Sequence, residues 1–263
     1  VYREIARLAR EHKDEILARY PKIMRRVSGY NLDEFIKAQP FNLSRILVGS
    51  EGTLGTVVEA KMRLVPKPKW TAMDVIHFYS DQEALECSQV VLQTAPYAME
   101  STDKMILNLA RGNIEQSRKL GFVQGSPDSL LMVEYAGETE DEVKEQVYKL
   151  EELRKKERIG YAASLAFKPE EVKAIWGVRK AGLGLLLGTK GDKKPIAFVE
   201  DTAVAPAKLP EFIKRFREII AGHDAIAGYY GHCSVGCMHI RPLINLKEPS
   251  EMTKMVSIAN AIS

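Results

Sequence analysis

The stretch FNLSRILVGSEGTLGTVVEAKMRLVPKPKW, residues 41–70, divides the chain. Glycines stand at 49, 52 and 55. After them Val57, Glu59, Lys61, Arg63 and Val65 alternate with Val58, Ala60, Met62 and Leu64. A period of two predicts a half-buried strand beginning just after Gly55. PKPKW follows, and two prolines with two lysines predict a domain joint. The glycine spacing is neither G-x-G-x-x-G nor a Walker loop, since no GK[ST] follows. Regular glycines ahead of a strand signal either a tight turn or a backbone that packs against a flat ligand. The second reading leaves the Ser50 and Thr53 hydroxyls free to hydrogen-bond that ligand.

Downstream of the joint the pattern changes to strands alternating with helices. AMDVIHFYS, SLLMVEYAG, YAASLAF and PIAFVEDTAV read as strands, each followed by a helix. DQEALECSQVVLQTA is the first of these helices. Thr139 and Glu142 have the spacing of a capping box at the start of another. A third begins at Pro169, whose missing N–H is harmless in a first turn. AIAGYYGHC and GCMHIRPLI read as two strands joined by a short turn. The expected class is α+β, a ferredoxin-like α/β sandwich with helices on one face of an antiparallel or mixed sheet. Upstream, Ile5, Leu8, Ile16 and Leu17 predict an amphipathic helix to Tyr20, stopped by Pro21.

The 263 residues are 45% hydrophobic and 28% charged with a net charge of +3, as in an ordinary water-soluble globule. That charge is too slight to imply a nucleic-acid partner, and no basic stripe is interleaved with aromatics. RKKER (154–158) and KGDKK (190–194) read as a solvated helix end and a loop. Three cysteines argue against a disulfide framework and for a reducing, cytoplasmic setting. The longest apolar candidate for a membrane span, AGLGLLLG, is short and broken by glycine. The chain opens at Val1 without a methionine and stops at VSIANAIS inside a helical pattern, so the expectation is a fragment.

GSEGTLG, a strand and RLVPKP in that order resemble the vanillyl-alcohol-oxidase type of FAD-linked oxidases. VSGYNLDEF is similar to that family's Gly-Tyr-Asp-Leu segment, with Asn31 in place of the aspartate. The resemblance runs from about Val27 to the C-terminus. It implies that residues 1–68 are the C-terminal remnant of an FAD-binding domain, and that 69–263 are a substrate-side cap domain cut short at its end. It implies flavin contacts at Gly29, Tyr30, Gly49, Ser50, Glu51, Gly52, Thr53 and Gly55, with the pyrophosphate loop upstream of residue 1. Within the family the chain resembles the bacterial D-lactate, glycolate and D-2-hydroxyglutarate dehydrogenases, in particular long flavoproteins that also carry an iron–sulfur region. The partners so implied are a 2-hydroxy acid and an electron acceptor (a quinone, a cytochrome or an electron-transfer flavoprotein), with peripheral membrane association of the full-length protein.

YYGHCSVGCMHIRP, residues 229–242, gathers two histidines, two cysteines and an arginine in a chain with five histidines and three cysteines. On a strand from 237 to 242, Cys237, His239 and Arg241 share one face, while Met238 and Ile240 face the core. A turn at CSVG brings the His232 imidazole back beside His239; one continuous strand cannot, because an odd separation puts them on opposite faces. Three readings compete. The histidines are a hydrogen-bonded pair, or half of a structural zinc site with Cys233 and Cys237, or part of a catalytic metal or substrate site. The resemblance favours the last. Metal-dependent members carry two ligating histidines at this spacing of seven, around a Gly-Asp-Gly-Asn-like turn that CSVGCM departs from. Their third ligand, in a Glu-His-Gly motif, would fall beyond Ser263.

The chemistry suits those residue types. The carboxylate and hydroxyl of a 2-hydroxy acid chelate a divalent cation, zinc or a neighbouring first-row metal with neutral imidazoles. A guanidinium matches the substrate carboxylate, and Arg241 on the His239 face and Arg179 in IWGVRKAG are the candidates. The alternative class is a nonenzymatic metal- or partner-binding α/β module. Glu200 and Asp201, adjacent in an expected strand, face opposite ways and form no paired-carboxylate site.

Overall fold

Every strand downstream of the PKPKW joint belongs to one antiparallel sheet. The computed structural model describes residues 1–26, 29–37 and 40–263, which fall into two units, Val1–Pro66 and Lys67–Ser263. Val27 and Ser28, where the family resemblance begins, lie outside the described residues.

In the first unit, helices α1 (Tyr2–Glu11) and α2 (Lys13–Arg19) replace the single predicted helix, with His12 at the break and Pro21 just past the end. A one-turn helix, α3 (Ser44–Leu47), precedes the glycine loop. The strand expected after Gly55 is absent among the described residues: 57–65 pair with no ladder, and Val58 is 95% exposed. Alternation supplies a face to bury, but a strand also needs a neighbour to accept its N–H and C=O groups. Residues 1–66 contain no other described strand to do so.

The second unit runs β1 (Trp70–Phe78), α4 (Asp81–Leu92), β2 (Ala98–Asp103), α5 (Lys104–Gly112), α6 (Ile114–Ser117), β3 (Ser129–Gly137), α7 (Glu140–Glu157), β4 (Ala162–Ala166) and α8 (Pro169–Leu187). It continues through β5 (Lys194–Pro195), β6 (Thr202–Ala203), α9 (Leu209–Gly222), β7 (Ala227–His232), β8 (Cys237–Ile244) and α10 (Pro249–Ile262). The sheet order is β4-β1-β3-β2-β7-β8-β5, with β6 paired to β8. Strands β1 to β4 with α4 and α7 make a βαββαβ ferredoxin-like unit, and the hairpin β7–β8 extends its sheet alongside β2.

The core explains the sequence patterns. From Ala72 to Phe78, β1 is buried without interruption, because helices cover both faces of the sheet and not the single face expected. One face packs Ile76, Phe78, Leu131 and Tyr135 against α4, α7, α9 and α10; the other packs Met73, Val75 and Met132 against α5 and α8. The Thr139 hydroxyl accepts the Glu142 N–H at 3.2 Å as expected, while Glu142 reaches back to the N–H of Glu138. Pro169 opens α8, the helix that carries Arg179 over the second face. PIAFVEDTAV is not one strand. It contributes only Pro195 to β5 and the two residues of β6, and Asp201 between them adopts a left-handed φ of 59°. No helix among the described residues is long and apolar enough to cross a membrane.

Candidate active site and metal centre

The hairpin β7–β8 places its two histidines on one face, with Tyr230 opposite His239 and Cys237 opposite His232 in the ladder. Met238 and Ile240 enter the core as the period of two predicts. The His232 and His239 rings meet edge to face, and their Nε2 atoms are 3.2 Å apart. Gly231 permits this approach. At a φ of 157° its backbone lies so close to β8 that a Cβ there would sit 2.7 Å from the Cys237 carbonyl oxygen. Gly236, left-handed at 70°, faces the backbone of Val204, which docks the segment after Asp201 against the turn.

Carboxylates close the other side of each ring. Glu100, directly across from His232 in the β2–β7 ladder, has Oε1 2.6 Å from its Nδ1. Glu100 Oε2 accepts from Arg179 Nη2 at 2.7 Å and Nε at 3.0 Å. Burial alone raises the Glu100 carboxyl, but the His232 hydrogen bond and the Arg179 guanidinium outweigh it and hold it below the usual carboxylate range. At His239, Nδ1 lies 2.6 Å from Asp201 Oδ1 and 3.2 Å from Glu200 Oε1. Burial holds the His239 imidazole below the usual histidine range even against those carboxylates. Glu200 is also ion-paired with Arg241. The expectation that Glu200 and Asp201 diverge is therefore wrong: they stand on a turn, not a strand, and both reach Nδ1 of His239.

The donor set suits a cation between the Nε2 atoms. Two nitrogens on one ion at about 2.0–2.1 Å lie about 2.8–3.4 Å apart at tetrahedral to octahedral angles, and 3.2 Å falls inside that span, as it does within reach of a direct N–H···N hydrogen bond between the rings. The opposite side of His239 suits an ion less, although Glu200, Asp201 and His239 place donor atoms within 4.8 Å of one another. There Asp201 Oδ1 already lies against Nδ1, closer than two ligands of one ion. Asp201 Oδ1 and His239 Nδ1 are both buried without a hydrogen-bond partner, so their 2.6 Å contact is not aligned as a hydrogen bond. The four-ligand zinc clip does not form. Cys233 is packed in the core with Met238, and no cysteine joins a group of three or more donors among the described residues.

Sequence reasoning missed Glu100. MESTD was not read as a strand, because two acids, a serine and a threonine follow its methionine and give no apolar alternation to mark it. Arg179 and Arg241 do flank the histidines, but each is ion-paired with a protein carboxylate and nearly buried.

In the first unit, Tyr30 bonds Thr53 hydroxyl to hydroxyl at 2.9 Å, and Asn31 donates to the Val48 carbonyl at 2.8 Å. The Gly-Tyr-Asn segment thus lies against the glycine loop. Gly29, Gly49, Glu51 and Gly52 have positive φ, whereas Gly55 does not. The Ser50 and Thr53 hydroxyls are not free, because they bond the carbonyls of Leu47 and Ser50. The far side of the loop is open: a Cβ at Gly52 or Gly55 meets nothing within 4 Å.

Residues 67–263 match the model of the family described as FAD linked oxidases, C-terminal domain. The chain belongs to that family. It is 31% identical to a D-2-hydroxyglutarate dehydrogenase of Pantoea ananatis, covering 100% of this chain and 27% of the relative. The corresponding figures for the D-2-hydroxyglutarate dehydrogenase of Pseudomonas putida are 32%, 99% and 27%. Glycolate oxidase subunit GlcD of Bacillus subtilis is 30% identical, over 82% of this chain and 44% of its own length. The chain therefore spans about a quarter of the two dehydrogenases. Among solved structures, alkyldihydroxyacetonephosphate synthase superposes with a TM-score of 0.57 at 16% identity, over 85% of this chain and 45% of its own. For p-cresol methylhydroxylase the TM-score is 0.54 at 12% identity, over 75% and 43%. Both share the α+β fold of this FAD-linked oxidase domain.

Proposed function

We propose that the chain is part of an FAD-dependent dehydrogenase that oxidises a D-2-hydroxy acid of the lactate, glycolate or 2-hydroxyglutarate type. In this reading residues 1–68 complete a flavin-binding domain and 69–263 form the substrate-side domain. The exposed alternating segment 57–65 would then pair with a strand of that flavin domain. The observation that carries the reading is the pair of Nε2 atoms 3.2 Å apart, each ring backed by a carboxylate. His232 and His239 would hold one divalent metal, zinc fitting two imidazoles. When bound, the metal supplies a Lewis acid for a chelated hydroxyl, and FAD supplies the hydride acceptor.

The chain's own residues do the positioning. Arg179, braced by Glu100 and stacked over the Tyr230 ring at 4.8 Å, brings positive charge beside His232; Arg241 does so beside His239. Both favour a substrate carboxylate at the histidines. In the first unit, Gly29, Tyr30 and the loop from Gly49 to Gly55 would face the flavin through the open side of that loop. An iron–sulfur region and the electron acceptor's docking site would lie in the longer protein.

The test is the flavin absorbance of the full-length protein, read anaerobically across D- and L-2-hydroxy acids before and after chelation. Bleaching by a D-acid that is lost on chelation and restored by Zn²⁺ supports the reading. Full bleaching after complete metal removal excludes a metal role, and no bleaching by any 2-hydroxy acid excludes the activity.

A further inference from the structure

A neutral imidazole carries one N–H and one lone pair, and the group facing each nitrogen selects which goes where. Glu100 hydrogen-bonds His232 Nδ1 at 2.6 Å, whereas the 2.6 Å approach of Asp201 Oδ1 to His239 Nδ1 leaves both of those atoms without a hydrogen-bond partner. An ionised carboxylate only accepts, so Glu100 draws the N–H of His232 to Nδ1 and leaves the lone pair on Nε2. That lone pair then points into the 3.2 Å gap towards His239. We infer that Glu100 is a positioning residue, which holds His232 in the Nδ1–H tautomer with its Nε2 lone pair aimed at a cation shared with His239. This rests on the metal reading proposed above.

The two carboxylates are not equivalent. Glu100 is fixed three ways: by its ladder position opposite His232, by Arg179 on its second oxygen, and by burial, with its side chain 8% exposed. Asp201 is 47% exposed, and Glu200 stands beside it at 3.2 Å from the same nitrogen. Loss of Glu100 should therefore matter more.

The asymmetry makes Glu100→Gln a sharp substitution. Arg179 donates only, so the new amide must turn its oxygen to Arg179 and its NH₂ to His232. His232 Nδ1 would then have to accept, moving the proton to Nε2 and cancelling the metal-directed lone pair of His232. The shape of the side chain is unchanged.

The experiment is Zn²⁺ affinity of the full-length protein by competition with a chromophoric chelator, with the visible spectrum of Co²⁺ as a second readout. Wild type, Glu100→Gln, Asp201→Asn and His232→Ala are compared, with Tm measured for each. Glu100→Gln should bind Zn²⁺ about 10–100-fold more weakly with an altered Co²⁺ spectrum, the usual effect of removing a ligand's hydrogen-bond partner. Asp201→Asn should lose less, and its exposure keeps the fold intact. Wild-type affinity in Glu100→Gln overturns the inference while leaving the metal site standing. If Glu100→Gln does not fold, Glu100→Asp, which draws the carboxylate back from Nδ1, takes its place, and wild-type affinity there overturns it. Failure of the metal reading looks different: wild type and His232→Ala then bind Zn²⁺ equally weakly.

Discussion

Gly231 and Cys237 are backbone neighbours across the β7–β8 hairpin, close enough that any side chain at 231 would strike the Cys237 carbonyl. The contact bears on the site because His232 follows Gly231 and its ring must meet His239 from the next strand. Two features of Gly231 act together, an absent Cβ and a φ of 157° that L side chains rarely adopt. Gly231→Ala should cost about 1–3 kcal/mol by overpacking. It should also part the imidazoles. Thermal unfolding and Zn²⁺ affinity of the variant check both, and an unchanged pair of values would show that the strands simply shift to make room.

His232→Ala and His239→Ala should each lower turnover of the full-length protein by roughly a hundredfold or more, the order expected when a Lewis acid is lost. Tm should change little, because the domain's core surrounds the sheet and includes neither ring. Metal content, Tm and turnover are measured together. Unfolding of both variants would point to a structural role instead.

Arg179→Ala should destabilise the protein by about 3 kcal/mol, since it leaves the Glu100 carboxylate buried with its guanidinium partner gone. An exposed helix arginine would cost almost nothing to remove, so chemical denaturation separates the two. On the proposed activity, KM for the hydroxy acid should rise as well, in Arg179→Ala and in Arg241→Ala.

Asp74 gives a pH-dependent prediction away from the site. It is fully buried on β1, and burial, then the Glu151 carboxylate, pushes its carboxyl up to about 8. The folded state thus holds the Asp74 proton more tightly than the unfolded chain, whose value lies near 3.8. Stability from this group is complete below that value and is lost as pH rises towards 8. Asp74→Asn cannot ionise, so its Tm relative to wild type should climb between pH 5 and pH 9. A difference that stays constant across the series would mean that Asp74 is ionised throughout.

How far the site could be read in advance depended on range. The spacing of seven and the CSVG turn suffice to bring His232 to His239, because a hairpin is a local object whose faces follow from a period of two. The same rule failed for PIAFVEDTAV, where a left-handed Asp201 turns both acids towards one nitrogen.

The sequence by itself determined three of the four strands of the ferredoxin-like unit (β1, β3 and β4), the Thr139 and Pro169 helix starts, and the face shared by His239 and Arg241. Each follows from side-chain period, capping or backbone restriction within a few residues. Only the tertiary structure decided that Glu100 stands opposite His232 and bonds Arg179, 79 residues away in the chain. It also decided that the alternating segment 57–65 has no ladder to join. Strand pairing and the partnering of buried charge are long-range choices, set by which elements the whole chain brings side by side.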